Sequence, residues 1–165
     1  MLFKMKVTGI TIDPTTNAPI IILKEEDGDQ AIPIWIGLLE ATAIATELEK
    51  IRFSRPMTHD LFKNFLDILD IKISKIEVCD LRENTYFARI HFIVGDRTFD
   101  MDARPSDAIA LALRTESPIY VNEKVIIKSK QLDGQAEVMD KTREAQKWTE
   151  YLEKLSPEDF GKYKM

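Results

Sequence analysis

The sequence predicts an α+β fold: a largely antiparallel sheet or sheets, helices packed on one side, and a C-terminal amphipathic helix. Three observations predict it. Strand-like segments come in runs, 3–36 and 71–102, and do not alternate strictly with helices. Helical periodicity follows each run, over 41–51 and 58–69 and again from Ser106. The chain has 165 residues, of which 44% are hydrophobic, enough to close one core. The expected division is a domain over 1–130 and a helical extension over 131–165.

The strands come first. Residues 3–12 alternate, with Val7, Ile10 and Ile12 apolar. Asp13-Pro14-Thr15-Thr16-Asn17 is turn chemistry, and Pro19 to Leu23 is a β-branched run. Ala31 to Gly37 reads as a third strand, and Pro33 places it at an edge or bulge.

The period then becomes helical. Ala41, Ile44, Ala45, Leu48 and Ile51 form one stripe, leaving Glu40, Glu47 and Lys50 wet. A second helix begins at Thr58, with Leu61, Phe62, Phe65, Leu66 and Leu69 as its core face.

Residues 71–102 read as a three-strand meander. The Gly95-Asp96 turn opposes Val94 to Arg97, Phe92 to Phe99, His91 to Asp100, Ile90 to Met101 and Arg89 to Asp102. The earlier turn is assigned to Arg82-Glu83-Asn84, with Asn84 left-handed. That opposes Leu81 to Thr85, Val78 to Ala88, Glu77 to Arg89 and Ile76 to Ile90. Lys75, Glu77, Arg89, His91, Asp100 and Asp102 then share a face, as cross-strand ion pairs on an ordinary solvent side would. Ser106 opens a third helix through Ile109, Leu111, Ala112 and Leu113, and Pro118–Val121 is a short strand. Residues 122–130 form a brief helix, 131–135 a boundary, and 140–155 a helix striped by Ala145, Trp148, Leu152 and Leu155.

Composition excludes several classes. A net charge of −5 rules out the whole surface as a sleeve for nucleic acid, so any such contact needs a local basic patch or a bound cation. The single cysteine, Cys79, excludes an internal disulfide framework and a cysteine-based zinc site. No secretory pattern or membrane-length apolar run is present, so a cytoplasmic location with no membrane partner is expected. A Gly-rich phosphate loop, a G-x-S-x-G elbow and an H-E-x-x-H pair are all missing.

One phrase occurs twice. Arg55-Pro56-Met57-Thr58-His59-Asp60 and Arg104-Pro105-Ser106-Asp107 each run into a helix. Each joins an arginine and a helix-breaking proline to a hydroxyl residue placed to cap and an aspartate in the first turn. Read blandly, both are capped helix starts. Read chemically, a guanidinium beside a helix N-terminus suits phosphate. Arg55, Thr58, Arg104 and Ser106 are therefore the phosphate-binding candidates. His59 is the candidate proton carrier, with Asp60 and Asp102 beside it as catalytic candidates. Asp100 and Asp102, on alternate strand positions, and Asp107, one loop on, are the metal candidates for Mg²⁺ or Mn²⁺.

Ile32-Pro33-Ile34-Trp35-Ile36-Gly37, with Glu40-Ala41 and Ala43-Ile44, resembles a signature of the bifunctional nuclease family. So do Arg55 to Leu61 and Asp102 to Ala112, in the same order, over about residues 5–125. The resemblance implies degradation of RNA and DNA, as described for plant members. Many bacterial members add a UvrB/UvrC-type helical motif. Residues 140–165 are too short and too dissimilar to be identified with it. Two functions are expected from these residues. One is a metal-assisted nuclease on single-stranded RNA or DNA. The other is a non-catalytic homo-oligomeric module for a protein partner or small anionic ligand.

Overall fold

One short strand joins two antiparallel meanders into a single sheet. The computed structural model describes residues 1–139, with side chains through Leu132. The first meander is β1 (Leu2–Ile12), β2 (Pro19–Glu25) and β3 (Ala31–Trp35). The second is β4 (Lys72–Arg82), β5 (Thr85–Val94) and β6 (Arg97–Ala103). Strand β7 (Ile119–Asn122) lies between them, antiparallel to β1 and parallel to β4, giving the order β3-β2-β1-β7-β4-β5-β6. The sheet is antiparallel except at that one pair, as the strand runs imply. Pro33 sits on the edge strand β3, opposite Ile22, where a missing N–H costs least.

The helices are α1 (Leu38–Leu48), α2 (Thr58–Ile68), α3 (Pro105–Thr115) and α4 (Glu123–Met139). Both α1 and α2 pack on α3, which packs on β4 and β5; α4 packs on β4, β7 and β3. Ile21, Leu23 and Ile32 join Ile76, Val78, Ile90, Phe92, Ile109 and Val125 in one buried cluster. Lys128 Nζ fastens α4 to the sheet through Asp80 Oδ1 at 2.8 Å.

The β5–β6 register is the predicted one at every pair named from the sequence. Gly95 takes φ +53 at its turn, a conformation glycine adopts without Cβ strain. The β4–β5 turn is one residue tighter than expected. Glu83 and Asn84 alone form it, at φ 48 and 60, so Arg82 and not Leu81 opposes Thr85. A bulge at Cys79 absorbs the extra residue, and Val78 still meets Ala88 while Glu77 meets Arg89.

Other expectations need correction. Glu47 is only 7% exposed. The chain reverses at Lys50 (φ 54) and brings Arg52 Nη1 to 2.8 Å from the Glu47 carboxylate. The same reversal takes Ile51 out of the helical stripe. On α2 only Leu66 is buried, whereas Leu61 is 60% and Phe65 52% exposed. The helix rests chiefly on α3, so most of its apolar stripe faces outward. Helix α4 continues through 131–135, and the stripe expected over 140–155 lies outside the described residues. No helix among the described residues is long and apolar enough to cross a membrane.

Candidate functional site

Three helix N-termini meet. Glu40 is in the first turn of α1, His59 in the first turn of α2, and Arg104 and Asp107 start α3. Carboxylates suit these positions because unpaired N–H groups and the helix dipole favour negative charge. The polar side chains connect in a line. Arg104 Nη1 donates to Glu40 Oε1 at 2.7 Å, and Arg104 Nε donates to Asp107 Oδ2 at 2.8 Å. His59 Nε2 lies 2.9 Å from Asp107 Oδ1.

The protonation of this line follows from its charges. Burial opposes ionisation of Asp107, but hydrogen bonds from Arg104 and His59 outweigh it and hold the carboxyl below its ordinary value. An ionised carboxylate only accepts hydrogen bonds, so His59 Nε2 carries the proton. In its neutral form the imidazole then has its lone pair at Nδ1. The Glu40 carboxyl is held low by its own backbone N–H and by Arg104. Arg104 is raised above its ordinary value, first by Asp107 and then by Glu40. Its side chain remains 64% exposed, and among the described residues Nη2 has no hydrogen-bond partner.

Asp60 plays a different part. Its Oδ1 accepts from Arg114 Nε at 2.7 Å and its Oδ2 from the Met57 N–H at 3.1 Å. Arg114 is 6% exposed and also donates to the Ala110 carbonyl. Burial disfavours the Asp60 charge, yet Arg114 and the Met57 N–H hold its carboxyl below the ordinary value. Asp60 thus clamps the first turn of α2 to α3 and positions its neighbour His59.

The hydroxyls do not cap. The N-cap residues are Met57 and Arg104, one or two positions earlier than expected. Pro105 supplies a helical φ at N1 and so starts α3 early, which leaves Ser106 buried inside the first turn. At α2 the Asp60 carboxylate takes the N-cap N–H, and Thr58 is an exposed first residue. The two hydroxyl candidates therefore differ in access, Thr58 exposed and Ser106 buried.

The expected metal triad is not assembled. Asp100 pairs with Arg89 across β5–β6, and Asp102 lies opposite Arg89 in the register. Asp107 turns instead to Arg104 and His59. Among the described residues no group of three or more His, Cys, Asp or Glu side chains is placed to hold a metal ion. The polar sheet face does form: Lys75 Nζ and His91 Nε2 each lie 3.6 Å from Glu77 Oε2.

Arg55 lines a cleft of about 350 Å³ with Arg52, Phe53, Lys63, Asn64 and Arg114. Of the residues in the doubled phrase, the fold brings His59, Arg104 and Asp107 into contact and sets Arg55 in the neighbouring cleft. The sequence reading places Glu40 only on the wet face of the first helix and in the family signature, and it misses Arg114. The only trace of Arg114 is its spacing, two helical turns after Asp107 on one face of α3.

Comparison with known proteins agrees with the motif blocks. An uncharacterized protein of Mycobacterium tuberculosis is 38% identical over 162 residues, covering 95% of this chain and 97% of its own. Bifunctional nuclease 1 of Oryza sativa subsp. japonica is 28% identical over 109 residues, 64% of this chain and 33% of the plant protein. Bifunctional nuclease 2 of Arabidopsis thaliana is 30% identical over 107 residues, 62% of this chain and 32% of its own. The chain thus spans about a third of these plant relatives' length. The family described as the bifunctional nuclease domain matches residues 21–133, and they include every member of the Glu40–Arg104–Asp107–His59 line. With that match over most of its length, the chain belongs to the bifunctional nuclease domain family.

Proposed function

We propose that this protein hydrolyses phosphodiester bonds in RNA and DNA at the corner formed by His59, Asp107 and Arg104. The observation that carries the reading is the continuous hydrogen-bonded line from His59 through Asp107 to Arg104. Family membership and the names of the plant relatives support the reaction class. His59 Nδ1 accepts a proton from the attacking water as the water oxygen bonds to phosphorus; the P–O bond to the departing sugar breaks, and the sugar oxygen takes a proton from solvent water. Asp107 fixes the tautomer and offsets the charge on the imidazolium that forms. The free Nη2 edge of Arg104 meets the negative charge that grows on the phosphoryl oxygens. Because water is the nucleophile, the ribose 2′-hydroxyl is not required and both polymers are substrates. The reading assigns no step to Mg²⁺ or Mn²⁺, because the described residues include no group of three or more His, Cys, Asp or Glu side chains placed to hold one. The test is cleavage of labelled RNA and DNA by the protein and by His59→Ala, Asp107→Asn and Arg104→Ala, each with and without chelator. The proposal expects all three substitutions to suppress cleavage of both polymers.

One observation favours a second role, as a homo-oligomer. Leu61, Phe65 and Ile68 on α2, with Met57 and Leu69 at its two caps, are all more than half exposed. At roughly 100 Å² apiece they offer a stripe of roughly 500 Å², the size of the largest apolar patch on a typical monomer, which is often functional. That approaches the roughly 800 Å² per partner of a stable interface, and a two-fold axis would lay α2 against its copy.

A further inference from the structure

The loop joining α1 to α2 carries Arg52, Phe53 and Arg55 in close succession along a cleft that Asp60, the residue after His59, also lines. Three of the four cations there are already balanced. Arg52 pairs with Glu47, Lys63 with Asp67, and Arg114 with Asp60. Arg55 has no ion pair or hydrogen bond among the described residues, which leaves its charge for a ligand. Phe53 is 43% exposed in this setting, although nothing apolar is gained by holding an aromatic ring in water. In a chain of net charge −5, this is a locally basic opening with a ring in its wall. Its volume, about 350 Å³, lies within the range of small-ligand sites.

From this arrangement we propose that the cleft is a subsite for one unpaired nucleotide flanking the scissile bond. The base stacks on Phe53 and the phosphate pairs with Arg55. A ring accepts any base by its face, so the subsite is indifferent to sequence. It is not indifferent to pairing, because a base held inside a duplex presents no free face. Asp60 lines the cleft and His59 immediately precedes it in the chain, so a strand seated on Arg55 passes the helix start that carries the imidazole. This inference rests on the hydrolytic reading for its position in the reaction and on the cleft alone for binding.

The experiment measures binding without turnover. Fluorescence anisotropy follows a labelled oligothymidylate, and a duplex of mixed sequence, titrated with the His59→Ala chain. Phe53→Leu and Arg55→Ala are then added to it; both side chains line an open cleft, and matched thermal midpoints check the fold. Phe53→Leu is expected to weaken single-strand binding roughly fivefold or more and leave duplex binding unchanged. Arg55→Ala is expected to weaken binding and reduce the salt dependence of log Kd by about one unit of slope. Unchanged single-strand affinity in both variants overturns the subsite. So does a duplex that binds as tightly and loses as much on Phe53→Leu. If the parent cleaves and His59→Ala does not, while binding ignores both substitutions, the subsite alone fails. If binding responds as expected but the parent never cleaves, the hydrolytic reading alone fails.

Discussion

His59 Nε2 and Asp107 Oδ1 stand 2.9 Å apart, although 48 residues separate them in the chain. The pair joins the first turns of α2 and α3, and the doubled Arg-Pro phrase is what supplies one residue to each side. Exchanging Asp107 for Asn removes the charge that orients the ring. The variant is expected to lose about 10²–10⁴-fold in cleavage rate with little change in KM. Steady-state kinetics on a labelled oligonucleotide checks this; a rise in KM alone would assign Asp107 to binding.

Asp60 is expected to matter for stability first. Truncation to alanine leaves the Arg114 guanidinium, on a side chain only 6% exposed, without its carboxylate. Urea unfolding is expected to show a loss of about 1–3 kcal/mol, and Asp60→Asn, which keeps an acceptor oxygen, a smaller one. Equal losses in the two variants would show that charge alone makes the clamp.

Acid stability has a definite sign. Burial opposes the Asp13 charge, but hydrogen bonds from Thr15 and the Trp35 indole bring its carboxyl down to about 2. A carboxyl lower in the folded than in the unfolded state adds stability above its unfolded value, near 3.8. That stability is lost as pH falls from there toward 2. Thermal midpoints of Asp13→Asn are therefore expected to lie below the parent's at neutral pH and to converge with them in this window. Parallel pH curves would contradict the assignment.

The outward face of α2 is expected to control assembly. Phe65→Ser and Leu61→Ser together should convert a dimer to a monomer in sedimentation velocity at matched concentration. A parent that sediments as a monomer removes the interface.

Legibility in the sequence tracked the range of the interaction. The β5–β6 register followed from one local turn, Gly95-Asp96, together with the alternation of apolar and charged positions. The Arg82–Thr85 closure was missed because the compensating bulge at Cys79 leaves no mark in composition. Helical period found the stripe of α2 but could not show that α3 meets only one edge of it. The members His59, Arg104 and Asp107 were readable as helix-start chemistry. Their contacts were not, since Glu40–Arg104 spans 64 residues and depends on how the helices cross. Strand alternation put Asp100 and Asp102 on a shared face but says nothing of Arg89 across the ladder, which pairs with Asp100.

The most direct test compares the parent chain and His59→Ala, purified side by side, for cleavage of a single-stranded oligonucleotide at neutral pH. The account predicts cleavage by the parent and a loss of about a hundredfold or more in the variant, with the fold intact by circular dichroism. Equal rates from the two preparations would contradict it, since a reaction indifferent to His59 does not take place at this corner.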